Sequence, residues 1–205
     1  MGSNQVITNV SGILIAGGKS LRMGRDKRFL EVSGNSVFAR TLRVLRETLA
    51  ETIVVLAEPV DSLDVRGCRV VYDLIPNAGS LGGLYTGLMA STQPRIFAVA
   101  CDMPFLDSDV IRFMATFDVD VVVAELSGRY QPLHALYSQR CVPFLRAMAD
   151  QHDLKIQKLF SIKELPIAVL GAHELAVIDP GLRSFQNINT PEDLALAEAP
   201  ISDKL

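Results

Sequence analysis

The sequence predicts an α/β fold, a Rossmann-like three-layer α/β/α sandwich on a mainly parallel sheet, and three observations predict it. Short apolar runs rich in β-branched residues alternate with segments of helical periodicity. The runs are continuous in Val, Ile and Leu instead of alternating with polar residues, as in strands covered on both faces. The composition, 49% apolar and 21% charged, is that of a globular chain and excludes disorder as its main state. At 205 residues, one domain can bury its own core without a metal or disulfide staple.

Residues 12–16 form the first apolar run and lead directly into a glycine-rich stretch over 17–24. Val37, Phe38, Leu42, Leu45 and Leu49 recur every three or four residues, which predicts an amphipathic helix over 37–49. A second strand is predicted at 52–57, stopped by Pro59, and a third at 68–72, ended by Asp73. Residues 76–80 read as a loop before a helix of small residues over 81–89. The fourth strand, 95–101, runs into Asp102-Met103-Pro104. A helix over 110–117 comes next, with Asp107 or Ser108 as its cap, and then a strand over 119–125. Beyond Ser127 the rhythm loosens. It predicts a strand near 133–137, helices over 140–148 and 155–160, a strand near 174–178 and a carboxy-terminal helix. Thr190 caps that helix, with Pro191 at its first position and Glu192 and Asp193 in its first turn. The chain, 1–205, is expected to be a single domain.

Charge and cysteine content exclude several function classes. A net charge of −3 argues against nucleic-acid binding by bulk electrostatics. No apolar run approaches the roughly 18 residues of a membrane span. The first residues lack the charged and apolar regions of a secretory signal. Cys68, Cys101 and Cys141 form no CxxC, which excludes a disulfide framework and a cysteine-type zinc site and fits the reducing cytoplasm.

Chemistry is expected outside the carboxyl ends of the strands, where open parallel sheets bind ligands. The first strand delivers Gly17, Gly18, Arg22, Gly24, Asp26 and Lys27; the third delivers Asp73 and the glycines at 79–83; the fourth delivers Asp102. Glycines let backbone N–H groups approach a phosphate chain, and Arg22 and Lys27 add full positive charge. Asp102 is the natural ligand for Mg2+, which takes one or two carboxylates together with phosphate oxygens. The combination is that of a nucleoside triphosphate site. It is not a P-loop, because Ile13 stands where that motif needs glycine, and the GxGxxG spacing is absent from 17–24.

The run from Leu14 to Lys27, Leu-Ile-Ala-Gly-Gly-Lys-Ser-Leu-Arg-Met-Gly-Arg-Asp-Lys, resembles the signature of the nucleotidyltransferases of the glycosyltransferase-A-like class. Further likenesses are Asp73, Gly79-Ser80-Leu81-Gly82-Gly83, Cys101-Asp102-Met103-Pro104, Gln131-Pro132-Leu133 and the run Asn187-Ile188-Asn189-Thr190-Pro191-Glu192-Asp193-Leu194. Together they are most similar to the molybdenum cofactor guanylyltransferases, over about residues 10–197. The resemblance implies GTP and Mo-molybdopterin as substrates. It also implies transient contact with molybdopterin-delivering proteins or apo-molybdoenzymes. It assigns Lys27, Arg22 and Asp102 to catalysis, Asp102 to the metal, and Ile15, Ala16, Gly17, Gly18, Lys27, Asp73, Gly82 and Asp102 to the nucleotide. It divides the chain into a nucleotide-binding half, about 10–126, and a molybdopterin-side half, about 127–200. Leu56 replaces an asparagine that relatives carry near the nucleotide, so a contact there would use backbone. Lys155 stands where relatives tend to have arginine. Asn187 and Asn189 are either pterin- or metal-side contacts or turn residues leading to the Thr190 cap.

The expected reaction is attack of the terminal phosphate of molybdopterin on the α-phosphorus of GTP. A phosphate monoester has its second pKa near about 6 and is mostly dianionic at neutral pH, so no general base is required. That agrees with the absence of a Ser/His/Asp or Cys/His pattern; His134, His152 and His173 are scattered without ligand spacing. Three alternatives share these residues: a molybdenum cofactor cytidylyltransferase, a sugar-1-phosphate nucleotidyltransferase, and a silent nucleotide-binding or partner-docking module.

Overall fold

The computed structural model describes residues 5–17, 29–32, 34–60 and 63–198. Seven strands form one sheet: β1 (Ile7–Ile15), β4 (Leu49–Leu56), β5 (Arg69–Tyr72), β6 (Arg95–Ala100), β7 (Val121–Leu126), β8 (Arg129–Ser138) and β9 (Ile167–Gly171). A small hairpin, β2 (Glu31–Val32) and β3 (Asn35–Ser36), stands apart. The helices are α1 (Val37–Thr48), α2 (Gly79–Ala90), α3 (Ser108–Ala115), α4 (Val142–Asp150), α5 (Ala172–Leu175) and α6 (Pro191–Glu198). The order across the sheet is β5-β4-β1-β6-β8-β7-β9. All its pairings are parallel except those of β8, which runs antiparallel to both β6 and β7. The sheet is therefore mainly parallel, as its apolar strands predict.

Successive residues of each strand feed opposite cores. Leu14, Val54, Phe97 and Leu136 pack with Phe38, Leu42 and Leu45 of α1 and with Ile111 and Met114 of α3. Ile13, Ile53, Ile96 and Ala135 pack with Leu84 and Leu88 of α2 and Leu145 of α4. Both faces of the sheet are thus covered, and this is why the strands show no polar alternation. A third, smaller cluster joins Leu30, Val32 and Val37 to Ile188 and Ala197. It fastens the segment after the glycine-rich stretch to the far end of the chain.

Three elements differ from the sequence expectation. Gly79 and Ser80, expected in the loop, already belong to the helix: α2 begins at Gly79. A Cβ on Gly83 would lie 2.8 Å from Ile15 Cγ2, and one on Gly87 2.6 Å from Ile13 Cγ2, so these glycines bring the helix hard against β1. The strand expected at 174–178 is instead the end of the helical turn α5 and a hydrogen-bonded turn over 176–178, and the strand lies at 167–171. The Glu174 carboxylate accepts the Gly171 N–H at 2.8 Å, which holds the turn. Val177 is 78% exposed, so the apolar spacing there has no sheet beside it. The strand at 133–137 is longer than expected, because Arg129 and Tyr130 also pair with β7, before a register shift.

Candidate active site

The carboxyl ends of β1, β4, β5 and β6 share one rim. Ile15 and Ala16 are buried as β1 leaves the sheet, and the Ala16 N–H donates to the Val55 carbonyl at 2.9 Å. Gly17 comes next, in close quarters. A Cβ there would lie 3.3 Å from the Ala57 nitrogen and 3.5 Å from Asp73 Oδ2. The Asp73 carboxylate thus reaches from the end of β5 past β4 to the end of β1. Its Oδ1 is buried with no hydrogen-bond partner among the described residues, and burial raises its pKa above the usual aspartate value. Leu56 is a core side chain, and at the rim only its backbone serves, accepting the Asp73 N–H at 3.0 Å.

Asp102 lies just past β6, on the other side of β1. Its loop is tied down twice. The Ile188 N–H donates to the Asp102 carbonyl at 2.9 Å, and Thr41 Oγ1 donates to the Met103 carbonyl at 3.3 Å. Beside Asp102 opens a cleft of about 450 Å³ whose polar lining includes Ser80, Gln131, Lys155 and Asn187. The rim segment at Pro132 is braced from below, because the buried Tyr137 hydroxyl donates to the Pro132 carbonyl at 2.7 Å.

The residues expected in the site fall into groups. Ile15, Ala16, Gly17 and Asp73 come together at the end of β1, with Asp102 at the neighbouring strand end. Asn187 joins Asp102 in the cleft, while the Asn189 N–H, with that of Thr190, is held by Asp193 Oδ2 at the start of α6. Gly82 lies buried in the first turn of α2, where a Cβ would meet the Ile75 carbonyl at 3.0 Å. Its lack of a side chain admits the 75–78 segment. Gly18, Arg22 and Lys27 lie outside the described residues. Ser80, Tyr130 and Gln157 line the cleft without having been singled out by the sequence. No spacing announces them, since they reach the rim only through the packing of α2, the antiparallel return of β8 and the turn after α4.

Among the described residues, no group of three or more His, Cys, Asp or Glu could hold a metal by itself. A cation here would take one or two carboxylates and complete its shell with phosphate oxygens and water, the habit of Mg2+. The orphaned Asp73 Oδ1 and the strand-end Asp102 fit that demand. His134 sits under the rim, wholly buried between Phe97 and Phe185 with ring centroids 5.1 and 4.2 Å away.

A mainly parallel sheet with acidic strand ends, a glycine at closest approach and a cleft at its carboxyl rim define a Rossmann-like α/β protein whose ligand site lies outside its strand ends. The crystal structure of molybdopterin-guanine dinucleotide biosynthesis protein A from Archaeoglobus fulgidus shares the fold with a TM-score of 0.80. It has 24% sequence identity, over 92% of this chain and 96% of that one. The MobA-like NTP transferase domain matches residues 12–166. The molybdenum cofactor guanylyltransferase of Desulfosudis oleivorans is 34% identical over 94% of this chain and 96% of its own. A probable molybdenum cofactor guanylyltransferase of Pelotomaculum thermopropionicum is 33% identical over 91% of each. The chain belongs to the MobA-like NTP transferase family.

Proposed function

We propose that the protein transfers GMP from GTP to the terminal phosphate of Mo-molybdopterin, forming molybdopterin guanine dinucleotide and pyrophosphate. The observation that carries this reading is the cleft that joins Asp102 to Gln131, Lys155 and Asn187 at the carboxyl rim of a MobA-like chain. A phosphate oxygen of molybdopterin forms a bond to the α-phosphorus, and the bond from that phosphorus to the β-phosphate oxygen breaks. The electron pair leaves with pyrophosphate. The attacking phosphate is already largely ionised, so the protein's task is alignment and charge neutralisation. Ile15, Ala16, Gly17 and Gly18 hold the base and ribose through backbone groups. Lys27 and Arg22 neutralise the triphosphate, Asp102 would hold Mg2+, and Asp73 serves as a contact of the nucleotide or of the metal's shell. The metal, when bound, supplies positive charge at the phosphates. Residues 10–126 serve the nucleotide and 127–200 the molybdopterin, with Lys155 placed as a point charge for its phosphate.

No helix among the described residues is long and apolar enough to cross a membrane. We assign the reaction to the cytoplasm, with brief contacts to molybdopterin-delivering proteins and apo-molybdoenzymes. The test is pyrophosphate release with Mo-molybdopterin and each of GTP, CTP and ATP. Release with GTP alone supports the reading; release with a sugar-1-phosphate in place of molybdopterin sinks it.

A further inference from the structure

The cleft beside Asp102 has an apolar side that phosphate and metal recognition do not require. Tyr130, Leu133 and Leu154 line it together with the polar groups of Gln131, Lys155 and Asn187. Leu154 is 41% exposed, a large apolar side chain otherwise left to water. Tyr130 stands near the start of β8, opposite Glu125, where the pairing with β7 shifts register. Its half-buried ring packs edge-to-face on Phe160, with centroids 5.0 Å apart and planes at 70°. Phe160 belongs to the 3-10 turn Ile156–Ser161, whose Ile156 and Leu159 are anchored in the core. Tyr130 is therefore a braced aromatic at the wall of the cleft, and docking a ligand on it costs little side-chain entropy.

We propose that Tyr130 is the specificity residue of this cleft, the platform against which the planar aminopyrimidinone ring of the pterin of the second substrate lies. Gln131 and Asn187 supply amides for the edge of that heterocycle. The inference rests on molybdopterin being the second substrate. A planar, conjugated pyrimidinone ring gains more from an aromatic surface than a hydroxylated, non-planar sugar phosphate does. Each amide carries both donors and an acceptor, which suits the mixed edge of an aminopyrimidinone. The tyrosine thus separates a pterin phosphate from a sugar phosphate before either reaches the triphosphate.

The test is steady-state kinetics on wild type, Tyr130→Phe and Tyr130→Leu, varying molybdopterin and GTP in turn. The leucine variant should raise KM for molybdopterin roughly tenfold, the scale of a lost stacking contact, and leave KM for GTP within about twofold. The phenylalanine variant keeps the ring and should stay near wild type for both. An unchanged molybdopterin KM in Tyr130→Leu, equal rises for both substrates, or a rise confined to GTP overturns the role. If Tyr130→Leu does not fold, the wild-type protein still decides. The phosphate-free ring, supplied as 6-hydroxymethylpterin, should inhibit competitively against molybdopterin and not against GTP. No inhibition up to its solubility limit, or competition with GTP alone, overturns the proposal. A wild-type enzyme that consumes no molybdopterin is a separate result, and it fells the guanylyl-transfer reading itself.

Discussion

Two side chains at the rim differ in what their charge does. Asp102 ends a buried strand, and its loop is held from outside by Ile188 and Thr41, so the carboxylate is not needed to keep the loop in place. Asp102→Asn should therefore leave the melting temperature within a few degrees while turnover falls by at least about a hundredfold, the scale of a lost charge-stabilising group. Near-normal turnover in a folded variant would remove Asp102 from the metal. His134 is the opposite case, a group that must stay neutral. Burial lowers its pKa from 6.5 to about 3, against the upward pull of the Ser184 backbone and the Asp179 carboxylate. Between those two values the unfolded chain binds a proton that the folded chain refuses. The stability that this site contributes is complete above about pH 6.5 and falls as the pH drops toward 3, by at most about 1.4 kcal/mol per pH unit. Chemical denaturation from pH 7.5 to 4.5 should show this decline, and His134→Phe should flatten it. A variant as acid-sensitive as wild type would place the sensitivity elsewhere.

At the scale of the element, α2 shows what a sequence can and cannot disclose. Pro76 through Gly83 has the composition of a loop, and nothing in its spacing distinguishes flexible glycines from glycines pressed against a strand. The structure makes the distinction, because Gly83 and Gly87 face Ile15 and Ile13 at distances no Cβ could occupy. Gly87→Ala should destabilise the protein by about 1–3 kcal/mol, the cost of overpacking a rigid contact, despite alanine's better helix propensity. Adding Ile13→Val should recover part of the loss. If Gly87→Ala raises the melting temperature, the helix is free to move away from β1. Other elements are readable for physical reasons. The strand before Asp102 is buried along its length and announces itself by an almost unbroken apolar run, whereas the one that ends in Asp73 is a half-exposed edge strand, legible from Val70, Val71 and Tyr72. Thr190 and Asp193 announce the last helix, and there the Asp193 N–H donates to Thr190 Oγ1 at 3.1 Å. The turn at 172–175 does not, since Val177 mimics a strand residue while standing in water. Tyr130 and Ser80 do not either, because their place depends on how β8 and α2 pack.

For the molecule as a whole, the proposed reading puts base choice at the end of β1, where residues 14–17 offer backbone N–H and carbonyl groups. The buried Leu56 takes no part with its side chain. A wrong base leaves polar groups unpaired, at about 1–3 kcal/mol each. GTP should therefore exceed ATP and CTP by at least about tenfold in kcat/KM, measured with molybdopterin saturating. A better result with CTP would shift the reading to cytidylyl transfer and leave the magnesium and lysine roles in place. The same molecule has an order of assembly written into Ile188. That residue closes the small cluster with Leu30 and Val32 and donates to the Asp102 carbonyl. It is made long after both partners have left the ribosome. A growing chain can lay down β1, β4 and β6 with their core, yet its rim stays unfastened until the carboxy-terminal segment arrives. The rim beside Asp102 is thus fastened by a residue that is synthesised well after the strands it holds.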